Sequence, residues 1–221
     1  VLALMLGATC LFTATACGKS DDDKPTVTIG YTDYAPMNYE ENGELVGFDT
    51  ELAQQMFTEL GYEVRFKLIE WSNKYTELNS GTIDCVWNGM TITDEAKLNA
   101  SVSVPYVKNA QVVVMAKDSI ANYADIESLK DLKFVAEAGS AGEAAIKDNG
   151  LDGNYKPVDL QTSALLAVLG GQADACVIDI TMAKSMTAEG TSYDKLEYSI
   201  ELTSEEYGIG FRTDSDLTAK V

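Results

Sequence analysis

The sequence predicts an α/β fold in two lobes, on three observations. Short apolar runs alternate with helical segments from Thr26 onward, and the order βαβαβ occurs twice. The two halves also share a local pattern 90 residues apart, Gly81-Thr-Ile-Asp84-Cys-Val-Trp against Gly171-Gln-Ala-Asp174-Ala-Cys-Val, which marks a pseudo-repeat. At 221 residues and 46% hydrophobic composition, the chain is long enough for one large or two small domains with a substantial core. Its 16 Lys+Arg against 35 Asp+Glu leave a net charge of −19, which excludes a phosphate-neutralising nucleic-acid binder. The absence of His removes imidazole triads and His-ligated zinc, so acid–base chemistry falls to carboxylates, Lys or Tyr.

In chain order, residues 1–16 are uncharged, largely apolar and end in small residues, as an export signal does. A membrane-spanning helix needs about 20 apolar residues, and Asp21 to Asp23 end this run too early. Ala14-Thr15-Ala16-Cys17 resembles the lipobox of bacterial lipoproteins, with Ala14 at the usual Leu. The resemblance implies that Cys17 is lipidated and begins the mature chain, with 17–25 as a hydrophilic tether. Without an initiator Met or a basic segment, the chain reads as a fragment at this end. Cys10 leaves with the signal, and Cys85 and Cys176, each within an apolar strand-like run, are expected to be buried free thiols.

The first βαβαβ unit comprises VTIG, the helix FDTELAQQMFTELG, EVRFKLI, a short amphipathic stretch and TIDCVW. The helix is expected to be capped by Asp49 or Thr50, to stop at Gly61, and to bury Leu52, Met56, Phe57 and Leu60. After Pro105-Tyr106 and the apolar run Ala110 to Ala116 come KFVAEA, a helix from Ser140 to Asn149, YKPV, a helix from Thr162 to Leu169, and ADACVID. EEYGIGF reads as a strand that returns to the first lobe, and Asp214 to Val221 as the start of a helix that is cut off. The lobes are therefore expected at 26–110 plus 205–221 and at 111–204.

In parallel α/β sheets, ligands collect beyond the carboxyl ends of the strands. That rule nominates Asn88, Gly89, Met90 and Thr91 after the first unit, Gly139 and Ser140 at a helix N-terminus, and Asp179 after ADACVI. The N–H groups at 139–141 favour an anion, although a plain Ser140 N-cap accounts for them equally. Asp179 suits an ammonium or the N-cap of the following helix.

Gly47-Phe48-Asp49-Thr50-Glu51-Leu52, then Leu78-x-x-Gly81-x-x-Asp84 through Gly89-Met90-Thr91-Ile92-Thr93-Asp94-Glu95, then Pro105-Tyr106, closely resemble the bacterial extracellular solute-binding proteins for polar amino acids. The match runs from about Val27 to the end. The resemblance implies a type II periplasmic-binding-protein fold that closes on its ligand like a flytrap, and an ABC permease as partner. It implies that Tyr34 and Trp71 sandwich the ligand, that Asn88, Gly89 and Thr91 are first-lobe polar contacts, and that Ser140 and Asp179 are second-lobe contacts, with Asp179 on the α-amine. One position departs: the family's carboxylate-gripping Arg follows the Thr-x-Glu turn, and here Ala96 stands there. Lys97 is next door but about 100° around the helix, and the only two arginines, Arg65 and Arg212, lie elsewhere in the pattern. Glu137, Asp179 and the aromatic residues Tyr34, Trp71 and Trp87 fit a cation-accepting cleft, though Trp87 fits a core position as well.

The function expected is therefore an exported, lipid-anchored, monomeric binding protein of an ABC importer, taking a small polar solute, most simply an amino acid, with no metal or cofactor. The alternatives are a cationic amine as ligand, or a dehydratase-like enzyme on the same fold in which Glu137 is the candidate acid. A ligand-sensing receptor ectodomain would need a downstream membrane helix.

Overall fold

The computed structural model describes residues 24–221. The expected signal, Cys17 and most of the tether lie outside the described residues. No helix among the described residues is long and apolar enough to cross a membrane.

The first sheet gathers β1 (Thr26–Tyr31), β4 (Glu63–Leu68) and β5 (Cys85–Thr91), joined by α1 (Phe48–Glu59) and α2 (Lys74–Asn79). Its order is β4-β1-β5, all parallel, extended by antiparallel β13 (Glu205–Phe211), on which β6 (Ser101–Val102) and β7 (Val107–Asn109) pair. A small hairpin, β2 (Tyr39–Glu41) and β3 (Glu44–Val46), precedes α1, and α3 (Asp94–Asn99) follows β5. The second sheet comprises β8 (Gln111–Ala116), β9 (Phe134–Glu137), β10 (Tyr155–Val158), β11 (Ala175–Asp179) and β12 (Leu196–Glu201), in the order β10-β9-β11-β8-β12. Its helices are α4 (Lys117–Ile120), α5 (Ala141–Asp148), α6 (Gln161–Leu169) and α7 (Ile180–Met186).

Both sheets thus contain the same parallel trio, with the second strand outermost and the third on the far side of the first. The shared sequence pattern has a structural basis. Asp84 accepts from Thr28 N (2.8 Å) and returns its own N–H to Thr28 O (2.7 Å); Asp174 does the same with Lys133 (2.8 and 3.0 Å). Each Asp staples the turn before the third strand to the first strand of its unit, satisfying backbone groups that strand pairing leaves open there.

Several expectations need correction. The α1 cap is Gly47, not Asp49 or Thr50; both are buried within the first turn, where Asp49 serves β5 and Thr50 Oγ1 accepts from Asn38. The buried face of α1 runs through Asp49, Ala53 and Phe57 with Leu52 and Met56 partly covered, whereas Leu60 is exposed. Asn88 to Thr91 belong to β5 rather than to a loop after it. The hairpin, β6, β7 and β12 lacked a clear alternating signal, and residues 216–219 make one 3-10 turn rather than a longer helix. The expected helices from Ser140 and Thr162 are present as α5 and α6, with Ser140 as the α5 N-cap. Cys85 and Cys176 are buried free thiols, which burial pushes well above the usual thiol range.

Candidate functional site

The carboxyl ends of β1, β5, β9 and β11 converge on one narrow cleft, with a cavity volume of about 20 Å³. Its walls carry Thr32, Tyr34, Trp71, Asn88, Gly89 and Thr91 from the first-sheet side, and Glu137, Ser140, Ala141, Gln161 and Asp179 from the second. Of the residues expected at the cleft, Trp87, Met90 and Gly139 do not line it. Trp87 is 1% exposed in the core, in edge-to-face contact with Phe57 and Tyr106; successive strand residues point to opposite faces, so its neighbour Asn88 takes the cleft side.

Asn88 works as a strut. Its Oδ1 accepts from Thr32 N (3.1 Å) and Thr32 Oγ1 (2.7 Å), and its Nδ2 donates to Thr32 O (3.0 Å) and Asn38 Oδ1 (2.7 Å), so the amide is spent on shaping the end of β1. Gly89 has φ +58, and a Cβ there would come within 2.6 Å of Tyr34 Cε1, so only glycine lets the ring close against the strand. Gly89 N donates to the buried Asp49 Oδ2 (2.7 Å), which also accepts from Tyr106 OH (2.8 Å). Burial pushes the Asp49 carboxyl up to about 7, against the pull of those two bonds.

Asp179 does not cap α7 with its side chain. Its Oδ1 accepts from Asn109 (2.5 Å), Gln111 (2.8 Å) and Tyr207 (2.7 Å), and its Oδ2 from Gln161 (2.7 Å), whose Oε1 accepts Asp179 N in return. Because Tyr207 OH donates to Asp179, Tyr34 OH donates to Tyr207 across 2.5 Å. Burial, then the neighbouring Glu205, pushes Asp179 up to about 6, with Tyr207, Gln161 and Gln111 opposing. Asn109 and Gln111 also donate to Glu205 Oε1 (2.7 and 2.8 Å), which accepts Thr91 Oγ1 as well (3.0 Å). Thr91 and Asp179 are therefore tied through the segment where the chain crosses between the sheets.

Glu137 is 3% exposed and makes no side-chain hydrogen bond among the described residues. Burial, then repulsion from Asp179, pushes it up to about 8, with Lys74 opposing. Ser140 both lines the cleft and caps α5: its Oγ accepts Glu143 N (3.1 Å), while Glu143 Oε2 accepts Gly139 N (2.6 Å). This leaves the first two helical N–H groups, at Ala141 and Gly142, without acceptors among the described residues, in a place where a helix dipole favours negative charge.

The sequence reading missed Thr32 and Gln161 as wall residues, although each follows a strand's carboxyl end, the same signal that exposed Thr91. Glu205, Asn109 and Gln111 carried no local signal, nor did Lys74, described below. Lys97 is exposed, and Arg65 and Arg212 pair with Glu63 and Asp84 away from the cleft. Ala96 is fully buried beside Trp71 and Met90.

Residues 27–221 match the family model described as bacterial extracellular solute-binding proteins, family 3. The arginine-binding extracellular protein ArtP of Bacillus subtilis (strain 168) is 33% identical over 235 residues, covering 99% of this chain and 88% of its own. An ancestral arginine-binding protein bound to arginine superposes with a TM-score of 0.81 at 32% identity, over 89% of each chain. The ancestral amino acid-binding protein AncCDT-1, a precursor of cyclohexadienyl dehydratase, superposes at 0.80 with 28% identity, over 88% of this chain and 86% of its own.

Proposed function

The chain belongs to the bacterial extracellular solute-binding proteins of family 3, and from that premise we propose that its ligand is an α-amino acid with a cationic side chain, of the arginine type, captured by lobe closure and passed to an ABC permease. One observation carries the charge assignment: Glu137 and Asp179 are both buried on one cleft wall, and Glu137 has no ion-pair partner within 4 Å among the described residues. Two carboxylates so placed repel each other and lose hydration, and a ligand cation offsets both costs. Asp179, braced by four side chains, suits the α-ammonium; Glu137, unbraced, suits the side-chain cation. The open N–H groups at Ala141 and Gly142 suit the α-carboxylate, which favours an amino acid over a simple amine. Tyr34 and Trp71 supply apolar walls for the carbon chain.

Calorimetric titration with L-arginine, L-lysine, L-citrulline, L-glutamine and L-histidine tests the reading. Arginine is expected to bind at least tenfold more tightly than citrulline, its neutral isostere; equal affinities refute the role of Glu137. Binding without chemistry predicts that arginine is recovered unchanged after incubation, whereas a converted product supports the dehydratase-like alternative. We further propose lobes at 26–110 plus 205–221 and 111–204, a monomer in solution, and attachment to the outer face of the cell membrane through lipid on Cys17. Replacing Cys17 with Ser should release the protein from membranes; full retention refutes the anchor.

A further inference from the structure

Lys74 opens α2, directly after the 3-10 turn that carries Trp71 (Trp71–Asn73), and only 6% of it is exposed. An ammonium so deeply withdrawn from water loses much of its hydration, and burial holds it below the usual Lys range against the pull of Glu95, Glu137 and Glu143. Its Nζ donates to Gly139 O on the opposite lobe (2.9 Å) and, at 3.4 Å, to Trp71 O. It lies 4.7 Å from the ring centroids of both Trp71 and Tyr75. The two carbonyls use two of the three ammonium donors and neutralise no charge.

A second cavity of about 330 Å³ opens beside Lys74 and shares a wall with the cleft, formed by Trp71, Thr91, Ser140 and Ala141. Lys74 is the only cationic residue lining either cavity among the described residues. Acidic groups on the second cavity sit at its exposed side, Asp94, Glu95 and Asp148. The shared wall therefore lies between a buried cation on one side and the buried pair Glu137 and Asp179 on the other. This polarity matches a zwitterion, with its carboxylate toward Lys74 and its ammonium toward Asp179.

We propose that Lys74 is a specificity-determining residue that selects ligands bearing an α-carboxylate, its third N–H and its charge completing the site begun by the Ala141 and Gly142 N–H groups. The inference rests on the amino-acid reading above but not on the charge of the ligand's side chain. Because Lys74 also bridges the lobes at Gly139, a plain strut predicts loss of affinity for every ligand alike, whereas a carboxylate reader predicts loss for carboxylate-bearing ligands only.

Two ligand pairs separate these on the full chain by calorimetry: L-arginine against agmatine, and L-glutamine against 4-aminobutanamide, each amine being its partner minus the carboxylate. In Lys74→Gln and Lys74→Met, two neutral replacements, the preference for the carboxylated member is expected to fall by about 10- to 100-fold while amine affinity changes little. Lys74→Arg, which keeps the charge, is expected to keep most of the preference. Equal losses for both members of a pair, or an unchanged preference, overturn the proposal. If the native protein binds glutamine and not arginine, and the glutamine preference collapses in the neutral variants, Lys74 stands and the cationic side-chain assignment falls. If the native protein binds none of the four, both fall.

Discussion

Replacing Glu137 with Gln keeps the shape of the buried side chain and removes its charge. In the empty cleft the carboxyl titrates near 8 instead of 4.5, so at pH 7 most molecules carry it protonated. A ligand cation binds the ionised form and must expel that proton. Each pH unit below 8 therefore costs about 1.4 kcal/mol, or about tenfold in affinity. Arginine affinity of the native protein is expected to rise up to about tenfold per unit between pH 6 and 8, with release of about one proton. Asp179, near 6, steepens the dependence only at the acidic end. In Glu137→Gln this slope disappears, and at pH 8 arginine binds about 10- to 100-fold more weakly through loss of a charge-assisted contact.

The same substitution removes a stability trend. A folded-state value raised above the unfolded one contributes stability below about 4.5 that is lost as pH rises through 8, so the unliganded native protein weakens across that range. The Gln variant lacks this loss and is expected to unfold at a higher temperature than the native protein at pH 8. Titrations in two buffers of different ionisation enthalpy, from pH 6 to 9, read the proton count, and thermal unfolding reads the crossover. A native affinity that is flat with pH, or an unchanged slope in the variant, would show that Glu137 does not meet the ligand's charge.

Gly89→Ala forces a Cβ into the Tyr34 ring at positive φ; a loss of about 2–3 kcal/mol, or about 5–10 °C in Tm, is expected by calorimetry, and a Tm within 1 °C would contradict the packing. Asp84→Ala and Asp174→Ala remove equivalent staples and should each cost about 1–3 kcal/mol in urea unfolding, Asp84 the more because it also pairs with Arg212; a neutral result at either denies the structural repeat. Closure predicts a smaller radius of gyration with arginine than without it in small-angle scattering, and equal radii at saturation reject the hinge.

Much of the fold was legible because α/β alternation and strand-end chemistry are local. Hydrophobic period separates helices from strands, glycines and Ser140 punctuate them, and the rule that ligands gather beyond the strand ends already pointed to Thr91, Ser140 and Asp179. Trp87 and Asn88 show where this stops. All but the last residue of β5 is buried, since a central strand is covered on both faces, so composition carries no alternation to say which of the two meets the cleft. Asp49 had the sequence position of a helix cap, and only packing of α1 on β5 turned its carboxylate toward Gly89.

The amino-acid sequence by itself determined the two βαβαβ units and the lack of imidazole chemistry. Tertiary structure alone decided that Asp179 and Glu205 share Asn109 and Gln111 where the chain crosses between sheets, that Arg65, Arg212 and Lys97 stay outside, and that Lys74 is the cation buried beside the cleft. The physical reason is sequence distance: these groups are brought within hydrogen-bond range by sheet order and lobe apposition, across separations of up to about a hundred residues, and no local pattern encodes which charges such folding will bury together.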